Sequence, residues 1–345
     1  MKKKLISIIS LTLAAAIGLS ACSSGSAGGT GTAAGKDTAG KTAASEHADS
    51  QWDNSVAMIL PGLITDEAFN QFTYEGMVKA KDELGIKTAY KENVTQDEQV
   101  EVLRQFAQQG YQIIIGQGGQ FGEAVSIVAG EFPDRQFIFS VGTDTFDLPN
   151  MSAATISYSH AGFIGGGLAG LTTKNNKVAM VTGEFYDTHR MMEASFYKGV
   201  AYVNPDIETT AITTGDWADT VKAREACLAV IAQGYDVLFP CLDAAGAGVA
   251  AAAQDSGNVK VVGAVADYAK DYGAKDVTAG SVVFAWDELG YLETKGELCD
   301  GKSHVLGMKE NGIRPVINIE LTSEQQAVYD AAVADLLAGK IDIAD

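Results

Sequence analysis

Positive charge, cysteine and histidine are all scarce in this chain. Lysine and arginine total 25 against 44 acidic residues, a net charge of −19. Such a surface is repelled by nucleic acid and by anionic lipid, which excludes a nucleic-acid partner and charge-driven adsorption to a membrane. Of the 4 cysteines, Cys227, Cys241 and Cys299 follow Cys22 without any CxxC spacing, which argues against a zinc site. Cys227 falls in the apolar stripe of an expected helix and Cys241 ends an apolar strand, so both read as buried free thiols. The 4 histidines (His47, His160, His189 and His304) share no metal-ligand spacing, so neither a metal nor another cofactor is expected. Only one apolar run, Leu5 to Leu19, approaches the roughly 20 residues that span a bilayer.

That run follows Lys2, Lys3 and Lys4 and ends in Leu19-Ser20-Ala21-Cys22. A cationic start, an apolar centre and small residues before the cut form a secretory signal peptide, here residues 1–21. The last four residues resemble a bacterial lipobox, in which the cysteine becomes the lipidated N-terminus. Cys22 is therefore the expected lipidation site. Residues 22–53 then read as a tether. Serine, glycine, alanine and threonine dominate it, without the apolar period that could offset the entropy of ordering. Its reach is roughly 30 Å. The expected location is extracytoplasmic, held to the cell membrane by lipid.

From residue 54 onward short apolar strands alternate with helices. Ser55–Leu60, Ile86–Tyr90, Tyr111–Gly116 and Gln136–Val141 read as strands. Between them, Asp66–Leu84 and Gln96–Gln109 carry a helical period, with Val100, Leu103, Phe106 and Ala107 on one face of the second. The pattern restarts at Lys177–Thr182. Near-continuous apolar strands alternating with helices imply parallel sheets covered on both faces, so the fold class is α/β with two doubly wound, Rossmann-like lobes. A further strand, Thr278–Trp286, and the helix Asp287–Cys299 are read as leading back to the first lobe. The expected division is 54–157 plus 287–302 for the N-terminal lobe and 158–286 plus 303–345 for the C-terminal one. Doubly wound sheets bind ligands beyond the carboxyl ends of their strands, so two facing units create a cleft between lobes. Candidate contacts are the segments just after strands: Pro61–Leu63, Gln117–Phe121, Gly183–Tyr186, Thr214–Trp217, Leu242–Ala245 and Val265–Asp267.

Catalytic look-alikes do not survive inspection. Gly165–Gly170 contains GxGxxG but does not open a helix directly after a strand, and it reads as the middle of an apolar helix packed closely through glycine. Ser195–Lys198 matches SxxK with no SDN or KTG partner. No Walker motif, nucleophile–histidine constellation or paired carboxylates stand out, and no enzyme is expected.

Several motifs in order resemble the basic membrane protein (BMP) family. They are Asp66-Glu67-Ala68-Phe69-Asn70-Gln71 with Glu75-Gly76, Gln109–Gly116, Leu148-Pro149-Asn150, Ala169–Lys174 and Tyr202–Asp206. The resemblance implies a type I periplasmic-binding-protein fold. It also implies a lipoprotein that binds a purine base or nucleoside for an ABC importer, with a permease as partner. The chain departs from the nucleoside-binding pattern in three places. Val141 ends Phe137–Val141 where that branch has an aspartate. Gly263–Asp267 keeps only the later acid of "GVDSDQ". Phe284 stands in place of a lysine. The expected ligand contacts are Asp66, Phe69, Asn70, Phe121, Tyr186, Trp217, Asp243, Asp267 and Trp286. Aromatic side chains would sandwich a flat base while polar groups fix its edge. Asp66 reads equally well as a helix cap and Phe69 as core, Trp286 nearly as well as core, and for Asp243 and Asp267 capping of the following helices is the alternative. A signalling lipoprotein that reports ligand occupancy to a membrane receptor, or a receptor for a non-purine solute, would use the same architecture. A monomer is the default.

Overall fold

The computed structural model describes residues 55–343. The signal peptide, Cys22 and the tether lie outside the described residues. The first half runs β1 (Ser55–Ile59), α1 (Phe69–Leu84), β2 (Lys87–Lys91), α2 (Gln99–Gln108), β3 (Ile113–Gln117), α3 (Gly122–Glu131), β4 (Gln136–Ser140) and β5 (Met151–Ile156). The second runs α4 (Tyr158–Thr172), β6 (Lys177–Thr182), α5 (Asp187–Val203), β7 (Glu208–Thr213), α6 (Thr220–Ile231), β8 (Val237–Cys241), α7 (Gly246–Ser256), β9 (Lys260–Val265) and β10 (Thr278–Phe284). The chain closes with α8 (Trp286–Lys295), β11 (Ser303–Leu306), β12 (Ile313–Ile317) and α9 (Ser323–Leu337).

The strands form two six-stranded sheets, ordered β11-β5-β4-β3-β1-β2 and β12-β10-β9-β8-β6-β7. All pairings in the first sheet are parallel. In the second only β12 runs antiparallel, against β10. The central strands β1, β3 and β8 are buried along their whole length, as strands covered by helices on both faces must be. The edge strands β2 and β7 are polar and partly exposed, which discourages pairing with another chain. In α2 the expected face is the buried one, with Leu103 and Ala107 fully covered and Val100 and Phe106 packed beside them.

Each lobe carries at least one pair of helices in close contact through glycine. On the second sheet, α4 lies against α5, and a Cβ at Gly166 would sit 2.2 Å from the Phe196 carbonyl oxygen, one at Gly199 2.0 Å from that of Phe163. The GxGxxG stretch is thus a packing surface inside a helix. On the first sheet, α1 lies against α8 through Gly76 and Gly290 in the same way. No helix among the described residues is long and apolar enough to cross a membrane.

The strand Thr278–Phe284 does not lead back to the first lobe; it pairs with β9 and β12 in the second sheet, within the span 158–286 given to that lobe, and α8 makes the crossing. The lobe boundaries need one correction. Ser303–Leu306, expected in the second lobe, pairs with β5 in the first sheet. An apolar run announces a strand but not which open sheet edge it will take. The chain therefore crosses between lobes at Ser157, at Ala285 and at residues 307–312. The three crossings are bonded side by side, with Ser157 N–H donating to Leu306 O (3.0 Å) and Ala285 N–H to Gly312 O (2.9 Å).

Candidate functional site

The carboxyl ends of both sheets face a cavity of about 610 Å³. Its walls are built from equivalent pieces of the two lobes. The first lobe contributes Pro61–Leu63 after β1, the start of α1 and Gly118–Gln120 after β3; the second contributes Tyr186 and His189 at the start of α5 and Leu242–Ala244 after β8, with Asp243 beside Asp66 and Phe69. Val141 after β4 and Val265 at the end of β9 also line it, as do Tyr158 and Trp286, each next to a crossing between the lobes.

Aromatic rings dominate. Phe69 meets Trp286 edge-on at 4.9 Å. On the other lobe Tyr186 stacks on Trp217 (6.0 Å, 15° between planes), and His189 packs against Trp217 at 4.9 Å and Tyr158 at 5.1 Å. Trp217 lies flat on Gly183, where a Cβ would fall 2.4 Å from the indole, so any larger residue would displace the ring. Burial lowers the His189 pKa to about 4, so this imidazole is neutral at physiological pH.

The polar groups are acidic or neutral. Asp66, Asp216 and Asp243 line the cavity, and no lysine or arginine does. Asp66 spends its oxygens on α1, accepting from the N–H groups of Ala68, Asn70 and Gln71 at 3.0 Å each and from the Asn70 amide at 2.6 Å. Asn70, 3% exposed, returns a bond to Gly62 N–H at 3.2 Å and so ties the β1 loop to the helix. Both residues line the cavity, but their hydrogen bonds serve the fold. Asp243 differs. Burial first, then the nearby Asp66 carboxylate, holds its carboxyl well above the usual range, and the Phe69 backbone N–H acts in the opposite sense. Tyr272 fixes its backbone by donating to the Asp243 carbonyl at 3.0 Å. At the rim, N–H groups of the following turn hold Asp216 below the ordinary carboxyl pKa.

Of the residues singled out from sequence, Asp66, Phe69, Asn70, Tyr186, Trp217, Asp243 and Trp286 come together on this cavity. Two do not. Phe121 is fully buried in the core behind β3 and β4, because Gly116 and Gly122 leave room for rings beneath the strand ends. Asp267 caps its own turn, accepting from Ala269 N–H at 3.1 Å. Trp286 is also the first residue of α8 rather than part of a strand. Sequence reasoning missed Tyr158 and His189; the only available signal was their position one and three residues beyond points already suspected.

The backbone at two lining positions is unusual. Val141 has φ 70° and Val265 φ 74°. A β-branched side chain is a genuine outlier in this left-handed region, at a cost of about 1–3 kcal/mol. At Val265 the chain forms a tight γ-turn, with Ala266 N–H donating to Ala264 O at 3.0 Å. These are the positions where the sequence departs from the acids of the nucleoside-binding pattern.

A family profile described as "ABC transporter substrate-binding protein PnrA-like" (Bmp) matches residues 54–343. The chain belongs to this family. It is 25% identical to the ABC transporter nucleoside-binding protein BmpA of Lactococcus lactis, over 99% of both chains. It is 25% identical to a purine-binding protein of Brucella abortus, over 74% of this chain and 72% of that one. A match of 28% identity to the transcriptional activator protein med of Bacillus subtilis spans only 54% of this chain and 58% of that protein. Among solved structures, an ABC transporter solute-binding protein from Conexibacter woesei superposes with TM-score 0.65 at 25% identity, covering 84% of this chain and 98% of that one. One from Aeropyrum pernix does so with TM-score 0.75 at 16% identity, covering 84% and 92%, and speaks for the fold alone. The family is one of extracytoplasmic substrate-binding proteins, which fits the two-lobed α/β fold and the cavity at the strand ends.

Proposed function

We propose that this chain is the lipid-anchored receptor of an ABC importer and that it holds a purine base or nucleoside between its lobes. The observation that carries the reading is the cavity wall. Aromatic rings from both lobes converge on a space of about 610 Å³ that contains acids and no cation. That volume suits a bicyclic base with or without a sugar. Stacking on such rings contributes on the order of 1–3 kcal/mol per base. Tyr186, Trp217, Phe69 and Trp286 are the stacking groups, and Asp243 is a polar group placed to address a ring edge. Binding would draw the lobes together about the three crossings, and the closed form would dock on the permease. Cys22 would carry the lipid that keeps the receptor at the membrane.

Thermal unfolding of residues 23–345 against bases, nucleosides, sugars and amino acids tests this. At 100 times its dissociation constant a ligand adds about 2.7 kcal/mol of stability. A shift with purines and not with sugars or amino acids supports the reading. A shift only with another class removes the purine assignment and leaves the receptor. For the anchor, a Cys22→Ala chain expressed in its host should appear in the soluble extracytoplasmic fraction, while the parent stays with the membrane.

A further inference from the structure

Asp66 and Asp243 reach the same cavity from opposite lobes, and no lysine or arginine lines it to neutralise either. Asp66 is saturated by the N–H groups of α1. Asp243 sits on the loop after β8, with Tyr272 holding its backbone. A second group in the same wall also wants a partner. Trp286 is fully buried, lines the cavity, and its indole Nε1 has no acceptor. Buried polar groups are rarely left unmatched without a reason in function.

We propose that Asp243 is the specificity-determining acceptor of this site, and that with Trp286 it selects a solute that presents N–H donors and a ring acceptor and carries no negative charge. Asp243 and Asp66 already lie near each other across the cavity, and two carboxylates there repel unless hydrogen lies between them, whether the Asp243 proton or an N–H of the solute. An amino-bearing heterocycle supplies it. A phosphate or carboxylate adds a further negative charge, so phosphorylated solutes are rejected although the aromatic walls would accept their rings. The inference deepens the purine reading and rests on it for the identity of the ring, but its electrical and hydrogen-bonding content stands on the cavity wall alone.

The test is calorimetry on the parent, Asp243→Asn and Trp286→Phe, using adenine, adenosine, adenosine 5′-monophosphate and caffeine, a purine without N–H donors. The parent should bind adenine or adenosine and bind the monophosphate and caffeine on the order of 100-fold more weakly. Asp243→Asn should lose on the order of tenfold or more for the donor-bearing solutes and change little for caffeine. Its melting temperature without ligand should equal or exceed that of the parent, because a buried carboxyl whose ionisation is disfavoured has gone. Trp286→Phe, which keeps a ring but drops the N–H, should also weaken adenine. Equal affinities for parent and Asp243→Asn, or a monophosphate bound as tightly as adenosine, would overturn the proposal. If no purine binds the parent, tryptamine and indole-3-acetate decide. Stabilisation of the parent but not of Asp243→Asn by the cationic amine, with none by the acid, keeps the inference and discards the purine. Any other result there discards both.

Discussion

Replacing Glu293 with glutamine should make the protein more stable, and increasingly so as pH rises. Glu293 lies on α8 with its side chain fully buried, and neither carboxyl oxygen has a hydrogen-bond partner. The Ser140 hydroxyl is near enough to favour the charged form slightly, but it does not reach hydrogen-bond geometry. Burial pushes the carboxyl from 4.5 up to about 8. In the unfolded chain it ionises near its ordinary value. Between those limits the folded state holds a proton that the unfolded state has released. The contribution of Glu293 is therefore fully present below pH 4.5 and is lost progressively as pH rises through about 8. A full proton difference costs about 1.4 kcal/mol per pH unit, so from pH 5.5 to 7.5 the parent should fall roughly 2–3 kcal/mol behind Glu293→Gln. At about 2 °C per kcal/mol for a chain of this size, the gap in melting temperature widens by roughly 5 °C. His189 bends the parent curve the other way, since its pKa is lowered to about 4 and its neutral form loses stability as pH falls below 6.5. The difference between parent and variant cancels that contribution. Urea unfolding of both chains at pH 5.5, 6.5 and 7.5 measures it. Parallel curves would refute the reasoning and mean that Glu293 is charged or matched in the folded protein.

Three further outcomes follow from the geometry. Val265→Gly releases the left-handed strain of the γ-turn but gives up a buried side chain and adds the entropy cost of glycine, so the net change in denaturant unfolding should stay within about 1–2 kcal/mol of zero; a loss of the several kcal/mol usual for emptying a core site would mean the backbone stores no strain there. Trp217→Ala should leave the fold intact, since the ring is only partly buried, yet weaken ligand binding by about 1–3 kcal/mol in calorimetry. Gly166→Ala puts a methyl group against the Phe196 carbonyl and should destabilise by about 1–3 kcal/mol, whereas the same change at Gly130, where a Cβ meets nothing within 4 Å, should not destabilise.

The sequence by itself determined the fold class, the order of strands and helices and the cleft. Apolar runs such as Ile113–Gln117, alternating with one-sided helices such as α2, leave no other layered arrangement, and strand ends are where such sheets bind. It also pointed to Phe69, Tyr186, Trp217 and Trp286, aromatic residues just beyond strands or at helix starts, while leaving core packing open for Phe69 and Trp286. Only the tertiary structure decided the rest. Asp66, Asp243 and Asp267 look alike along the chain, yet one caps a helix from within the cavity, one faces it, and one caps a turn outside it. Phe121 and Trp286 are both fully buried, and what separates them is whether the neighbouring loop opens onto the cleft. Ser303–Leu306 joined the first sheet because the open edge of β5 was within reach, which is a fact of distance. Local pattern fixes what each segment becomes. The crossings at Ser157, Ala285 and residues 307–312 fix what it meets, and burial, charge and strain arise only from that meeting.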